Sequence, residues 1–268
     1  REEAIDYAKS KGIPLGDISE KNIYSRDWNV WHMSHEGGEL EDTWEPPRQE
    51  MYQLSNDPRN APDEEEEIVI DFEQGLPVGV NGEKKSAMEL LKLLNELGAK
   101  HGVGREDLVE TRLVGMKSRG VYETPGGTIL YKALRELEMI TLDFDTLAMK
   151  NQLALRYADI VYAGKWFTHF RDSMEAYMKH AATYVTGSVR VVLYKGNAMI
   201  TGRKSPYSLY IADLASFGES TYDHADATGF INLYGLSTGV AALVHDSRMR
   251  RDEGPAVEMQ AMAGFHEK

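Results

Sequence analysis

Cysteine is absent from the 268-residue sequence. Its absence excludes disulfide bonds, thiolate metal sites and cysteine nucleophiles, and it agrees with a reducing, cytoplasmic environment. Long apolar segments are absent as well, because no apolar run reaches the roughly 18 residues that a membrane-spanning helix needs. We therefore expect a cytoplasmic protein with no membrane partner.

Basic residues are scarce relative to acidic ones. The sequence has 30 Lys and Arg against 43 Asp and Glu, which gives a formal net charge of -13. A field of that sign repels a phosphate backbone, so nucleic acid is not expected as a partner. Hydrophobic residues make up 42% of the chain, which is enough for a packed core, and the length suits one large domain or two modest ones.

The sequence opens at Arg1 without an initiator methionine, and its start resembles neither a signal peptide nor a transit peptide. We therefore expect further residues upstream. Ala4, Ile5 and Ala8 recur at helical spacing, and Gly12 is a candidate C-cap, which predicts a short helix here. Residues 1–21 are expected to form an entry helix and a linker.

Hydrophobic periodicity and turn residues predict most of the regular elements. Ser86 and Glu89 make a capping box in front of a leucine-rich segment, which marks the start of one helix. The other predicted elements are strands at 68–72, 76–80, 189–194 and 198–201, and helices near 129–139, 145–163 and 171–185. Strands, helices and strands follow one another without regular βαβ alternation. The predicted fold class is therefore α+β, with antiparallel strands packed against several helices.

Residues 22–41 are rich in Trp, His, Ser, Asp and Gly and have no clear period, which is typical of a loop-built site on a scaffold. They include His32, His35 and Glu36, a group that invites a metal-site interpretation. The spacing differs from that of the His-Glu-x-x-His motif, and no convincing third ligand lies nearby. We favour hydrogen-bonded loop histidines, and no metal site is predicted.

Two glycine-rich stretches, residues 101–104 and 124–128, are candidate phosphate-binding loops. Neither is a Walker loop or a dinucleotide-binding turn, because the required residues do not follow the glycines. The first stretch is predicted to end the preceding helix. In the second, Thr124 is predicted to cap a helix that has Pro125 at its first position, and an anion at that helix start stays open.

Residues 107–123 mix polar and apolar side chains unusually closely. Glu110, Arg112, Lys117 and Arg119 lie among leucines and valines, so their charges must be paired. The segment is either a salt-bridged structural ladder or a site that grips a zwitterionic ligand. Composition alone favours the ladder.

Six segments of the sequence form long, specific motifs. They are residues 22–41 (NIYSRDWNVWHMSHEGGELE), 101–105 (HGVGR), 109–112 (VETR), 115–131 (GMKSRGVYETPGGTILY), 202–210 (GRKSPYSLY) and 226–232 (DATGFIN). In this order they resemble the argininosuccinate synthase family, and the resemblance runs from about residue 22 to residue 236. Two departures are visible: Thr111 stands where the family usually has Asn, and Trp28 and Val30 vary inside the first segment.

The resemblance implies that the intact protein ligates citrulline and aspartate to argininosuccinate and releases AMP and pyrophosphate from ATP. It further implies that the citrulline ureido oxygen attacks the α-phosphate, and that the aspartate amine then displaces AMP. ATP, with Mg²⁺, would be bound mainly by a nucleotide-binding half with a Ser-Gly-Gly-Leu-Asp-Thr-Ser loop. That loop does not occur here. The chain therefore resembles only the C-terminal part, without the parallel nucleotide-binding domain, and is expected to be inactive alone.

Four residues match family positions that contact citrulline, namely Ser25, Ser34, Glu110 and Tyr122. A carboxylate is the natural partner of an α-ammonium group, and hydroxyls can serve the carboxylate or ureido group of the ligand. Orientation, rather than general base catalysis, is the role that the resemblance implies for these residues. The basic residues between 107 and 123 are expected to belong to a charge network.

The resemblance also implies a homo-oligomer, namely a tetramer. Residues 22–236 are predicted to form the synthetase domain, and residues 237–268 a C-terminal oligomerisation helix and tail. Residues 229–244 are too apolar for an exposed surface, so they are predicted to lie in the subunit interface, and a core helix of the monomer is the alternative. The tail from residue 249 onward is expected to dock on a neighbouring subunit.

Two other classes of function stay open at this stage. One is a stand-alone amino-acid-binding module with the same pocket and no chemistry. The other is a purely structural assembly domain, in which the charged segment is a salt-bridge ladder.

Overall fold

The computed structural model of the chain describes residues 2–16, 24–216 and 222–249. The chain divides into two compact units, Arg1–Tyr210 and Ile211–Lys268. The predicted domain boundaries at residues 21 and 236 stay predictions. Residues 22 and 23 of the first motif and the tail after residue 249 lie outside the described residues.

The larger unit contains nine strands and five α-helices among its described residues. The strands are β1 (Ser25–Trp28), β2 (Met33–Glu36), β3 (Glu66–Glu73), β4 (Leu76–Val80), β5 (Glu83–Lys84), β6 (Arg105–Thr111), β7 (Lys117–Glu123), β8 (Gly187–Tyr194) and β9 (Asn197–Lys204). The helices are α1 (Glu2–Ser10), α2 (Ala87–Lys100), α3 (Pro125–Thr141), α4 (Phe144–Tyr162) and α5 (His169–Ala181).

The strands form two sheets. The first sheet has the order β1-β2-β7-β6, and the second has the order β5-β4-β3-β8-β9. Every neighbouring pair among these strands is antiparallel. The α+β class with antiparallel strands is therefore confirmed.

The main core lies between the second sheet and the helices α2 and α3. Alternate residues of β3, Ile68, Ile70 and Phe72, are buried, as the period of a half-buried strand requires. Leu94 and Leu137 of the two helices close the same core. The predicted strand pair and hairpin in this sheet are confirmed.

Helix α2 begins with the predicted capping box, because Ser86 and Glu89 exchange hydrogen bonds in both directions. At the start of α3 the prediction was wrong in part. Thr124 holds the N-cap position and Pro125 follows it, but the Thr124 side chain makes no capping hydrogen bond. Asn95 of α2 caps the helix instead, because its Oδ1 accepts a hydrogen bond from the backbone N–H of Gly126 at 2.8 Å.

The loop predicted for residues 22–41 is wrong, because this segment contains the hairpin β1–β2. Asn29 closes its turn by accepting the backbone N–H groups of Trp31 and His32 at 2.8 and 3.0 Å. Residues 107–123 form a second hairpin, β6–β7. Neither hairpin shows an apolar-polar alternation, because polar side chains occupy both faces of the first sheet.

The smaller unit is helical in its described part: α6 (Ala212–Ala215), α7 (Asp226–Tyr234) and α8 (Leu236–Met249). Phe230 and Tyr234 stack on one another, with ring centroids 5.0 Å apart. Apolar side chains of α7 are largely exposed, including Ile231 at 63% and Leu233 at 78%. In the described part of the chain these side chains therefore lie at the surface.

No single helix in residues 2–16, 24–216 and 222–249 is long and apolar enough to cross a membrane. The segments Asp226–Tyr234 and Leu236–Asp246 meet the length and composition of a span only when taken together, and they are bent by 43°.

The core of the larger unit can be tested with two leucine substitutions. Leu94→Ala is expected to lower the free energy of unfolding by about 2–5 kcal/mol, because Leu94 is fully buried and its removal leaves a cavity. Leu155→Ala in α4, where the side chain is 75% exposed, is the matched control and is expected to change stability by less than about 0.5 kcal/mol. Urea denaturation measures both, and equal losses would contradict this core.

Candidate functional site

The four residues predicted to contact ligand lie on one face of the first sheet. Directly paired residues of antiparallel strands share a face, and so do residues two apart in one strand. The pairs that establish this are Ser25 with Glu36, Ser34 with Tyr122 and Glu110 with Ser118. We call this face, which carries Ser25, Ser34, Glu110 and Tyr122, the front face.

Tyr122 and Glu110 contact one another on the front face. The Tyr122 hydroxyl donates to Glu110 Oε1 at 2.8 Å. Burial, together with this hydrogen bond and the Glu110 charge, raises the pKa of Tyr122 above its usual value. The phenol therefore stays protonated near neutral pH and acts as a hydrogen-bond donor, not as a base.

Oppositely charged groups extend the front face beyond the predicted residues. Arg112, just past the end of β6, lies 3.6 Å from Glu36 and donates to Ser118 Oγ at 3.0 Å. An open pocket of about 440 Å³ at this edge of the sheet is lined by these three residues and by residues of the opposite face, including Val109, Lys117 and Arg119. The four predicted residues are not part of its lining. A carboxylate and a guanidinium within one small area suit a ligand that carries both signs of charge.

His32 stands beside the front face. Its ring meets the Tyr122 ring edge-on, with centroids 5.6 Å apart. His32 and His35 do not converge on one point, because His35 is on the opposite face of the sheet. Among the described residues, no group of three His, Cys, Asp or Glu side chains could hold a metal ion.

The opposite face of the first sheet, which we call the back face, carries a buried hydrogen bond between a histidine and a carboxylate. His35 Nε2 lies 2.8 Å from Glu123 Oε2, and both side chains are fully buried. The Glu123 carboxylate also accepts the backbone N–H groups of Gln53, Leu54 and Ser55 at 2.8–3.0 Å and the Ser55 hydroxyl at 2.7 Å. Burial alone would raise the pKa of Glu123, but the hydrogen bonds from His35, Gln53 and Ser55 outweigh it and hold that pKa at about 2.

Arg26 determines which nitrogen of His35 carries the proton. Its Nε donates to His35 Nδ1 at 3.2 Å. Because an arginine can only donate, Nδ1 accepts with its lone pair, and the ring proton is on Nε2. His35 therefore donates to Glu123 as a neutral imidazole.

Two further arginines strengthen the back face. Arg105 stacks over the Tyr52 ring at 3.7 Å and donates to Ser55 Oγ at 2.8 Å. Arg119 pairs with Asp107 at 2.7 Å and also donates to the carbonyl oxygens of residues 42 and 45. The expectation of a network role is confirmed for Arg119, whereas Arg112 contacts residues of the front face. The segment 107–123 is thus a ladder on one face and a candidate site on the other.

The structure adds Glu36, Arg112 and Ser118 to the four predicted residues of the front face. Ser118 and Tyr122 are an even number of residues apart, which places them on one face once the segment is known to be a strand. His35 and Glu123, 88 positions apart, are paired by the fold, and no sequence signal connects them.

The family model for the arginosuccinate synthase C-terminal domain matches residues 24–241. The chain belongs to the argininosuccinate synthase family. The argininosuccinate synthase of Desulfitobacterium hafniense (strain DSM 10664 / DCB-2) is 54% identical over 245 residues, which are 91% of this chain and 61% of that protein. That of Roseiflexus sp. (strain RS-1) is 55% identical over 91% of this chain and 60% of that protein.

The chloroplastic argininosuccinate synthase of Arabidopsis thaliana is 54% identical over 91% of this chain and 49% of that protein. The chain therefore spans between 49% and 61% of the length of these relatives. The resemblance that the six motifs predict is confirmed.

The buried Glu123 predicts a pH dependence of stability. Its pKa is lowered from 4.5 to about 2 in the folded state, so its ionised form stabilises the fold above about pH 4.5, and this contribution is lost as pH falls through about 2. The contribution is on the order of 3 kcal/mol. Glu123→Gln is expected to be less stable than the unsubstituted chain at neutral pH, and this difference is expected to shrink as pH approaches 2.

Urea denaturation over this pH range measures the difference. Glu64→Gln, an exposed carboxylate in the acidic run, is the matched control and is expected to follow the unsubstituted chain throughout. A constant difference between Glu123→Gln and the unsubstituted chain from neutral pH to about pH 2 would contradict the lowered pKa.

Proposed function

We propose that the chain is the citrulline-binding and assembly part of an argininosuccinate synthase, the ligase that uses ATP to join citrulline and aspartate. Membership of the family supports the activity. One observation carries the assignment of the binding surface: Ser25, Ser34, Glu110 and Tyr122 share one face of the first sheet, where Tyr122 donates to Glu110.

Each of these side chains has a role that its chemistry allows. Glu110 accepts the α-ammonium group of citrulline, and the hydroxyls of Ser25, Ser34 and Tyr122 bind its carboxylate and ureido groups. Glu110 receives a single side-chain hydrogen bond from the described residues, which leaves acceptor capacity for a ligand. The raised pKa of Tyr122 supports binding and orientation, not proton abstraction.

ATP, its Mg²⁺ and aspartate belong to the proposal for the longer protein. The sequence contains no Ser-Gly-Gly-Leu-Asp-Thr-Ser loop to cradle the phosphates, so we assign these ligands mainly to the nucleotide-binding part of the relatives. The reaction then depends on this chain for the placement of citrulline against the nucleotide. The cytoplasm is the proposed location.

The activity is tested by pyrophosphate release. The 268-residue chain alone is expected to make no citrulline-dependent pyrophosphate from ATP, because its sequence contains neither a Walker loop nor the Ser-Gly-Gly-Leu-Asp-Thr-Ser loop. Addition of the nucleotide-binding half of a close relative is expected to give citrulline-dependent and aspartate-dependent turnover. Turnover by the purified chain alone would contradict this division of roles, and a mixture that stays inactive while the chain binds citrulline would favour a stand-alone binding module.

Glu110→Gln tests the binding surface by calorimetric titration of the chain with citrulline. The substitution keeps the shape and removes the charge that binds the α-ammonium group, so affinity is expected to fall by about tenfold to more than a hundredfold. Glu64→Gln is the matched control and is expected to bind as the unsubstituted chain does. Equal affinity in the two variants would mark Glu110 as a structural residue, and absence of citrulline binding by the unsubstituted chain would favour a structural assembly domain.

The assembly is proposed to be a tetramer held partly by the terminal helices. Exposed apolar residues of α7 and α8, such as Phe230, Ile231 and Leu236, support a surface that a second copy covers. Truncation after Tyr234 removes α8 and is expected to reduce the mass that light scattering measures. An unchanged oligomeric mass with an intact far-ultraviolet spectrum would contradict this role of α8.

A further inference from the structure

The geometry points to His35 and Glu123 as positioning residues, which hold Ser34 and Tyr122 in the register that the ligand needs. The inference rests on the proposed function, because the ligand is taken to be citrulline. Neither positioning residue touches that ligand, since both lie on the back face while Ser34 and Tyr122 lie on the front face.

The pair acts on the strand junction that the front face depends on. Ser34 and Tyr122 are direct partners across β2 and β7, and His35 and Glu123 are the next residues in each strand. The register between these two strands consists of only three residue pairs. A slip of one residue would turn Ser34 or Tyr122 to the other face of the sheet. Three residue pairs are few, so the pairing of β2 with β7 needs a further contact to define its register.

The hydrogen bond between His35 and Glu123 supplies that contact. It crosses the junction diagonally, because His35 is paired with Val121 and Glu123 is paired with Met33. A buried carboxylate that loses a donor is costly, so the alternative registers are strongly disfavoured. The remaining hydrogen bonds of Glu123 fix β7 to the backbone of residues 53–55.

Arg26 fixes His35 as the donor in its hydrogen bond to Glu123. Its donation to Nδ1 leaves the proton on Nε2, so His35 presents an N–H to the Glu123 carboxylate. The opposite tautomer would place a lone pair against a negative charge. Arg26 is the neighbour of Ser25 and is paired with His35 across β1 and β2, so the same chain of contacts reaches the third hydroxyl of the front face.

Two substitutions of His35 separate positioning from simple stabilisation. The amide of His35→Gln can place an N–H near the position of Nε2, whereas His35→Leu has a similar size and no donor. Citrulline affinity is measured by calorimetry for the 268-residue chain and corrected for the folded fraction. We expect His35→Leu to weaken binding about tenfold or more and His35→Gln to stay within about threefold of the unsubstituted chain.

A gentler substitution covers the case in which His35→Leu does not fold. Ser55→Ala removes one of the hydrogen bonds to Glu123 at the far end of the network, and it is expected to weaken citrulline about threefold. The inference would be overturned if Ser55→Ala and the folded fraction of His35→Leu both bound citrulline as tightly as the unsubstituted chain. Equal weakening by His35→Leu and His35→Gln would overturn it too, because the donor would then be irrelevant.

The tautomer of His35 can be measured independently by spectroscopy. If His35 contributed only to packing, the inference would not require its proton to be on one particular ring nitrogen. Nitrogen NMR of the histidine rings in the ligand-free chain is expected to show His35 neutral with its proton on Nε2. A proton on Nδ1 would overturn the inference. These measurements include citrulline binding by the unsubstituted chain, which tests the proposed function separately. A failure of the proposed function is therefore distinguished from a failure of the positioning role.

Discussion

The first sheet depends on one buried carboxylate. Glu123 is fully enclosed and is stable as an anion only because five donors from β2 and from residues 53–55 converge on it. Transfer of a carboxylate from water to the protein interior costs several kcal/mol. The hydrogen bonds from these donors must offset a cost of that order. The carboxylate therefore joins β2 and β7 to the loop segment of residues 53–55.

This constraint explains the division of the sheet into two polar faces with different tasks. On the back face Arg119 pairs with Asp107, and Arg26 and Arg105 donate hydrogen bonds to His35 and Ser55. On the front face, groups such as Glu110 and Ser34 are the ones that we propose bind a small zwitterion. A rigid back face keeps the polar groups of the front face in place, and orientation of a bound substrate is the contribution that the proposed function asks of this surface.

Most of the second sheet and its helices can be predicted from the sequence, whereas the first sheet cannot. Ile68, Ile70 and Phe72 alternate with exposed residues, and the Ser86 capping box precedes regularly spaced leucines, so periodicity was informative there. In β1 and β6 both faces are polar, which removes the alternation that identifies a strand. The four residues of the front face came from the family resemblance, whereas their grouping on one face and the pairing of His35 with Glu123 required the fold.

The central claim is that citrulline binds on the front face of the first sheet. Two-dimensional NMR of the isotope-labelled chain tests this claim most directly. The amide signals are followed during titration with citrulline and with ornithine, an analogue that lacks the ureido group. We expect the amide signals that shift with citrulline to be concentrated at Ser34, Glu110, Ser118 and Tyr122, and we expect ornithine to shift them less. Shifts confined to the groove of about 1050 Å³ between α3 and β9, or no shifts at saturating citrulline, would contradict it.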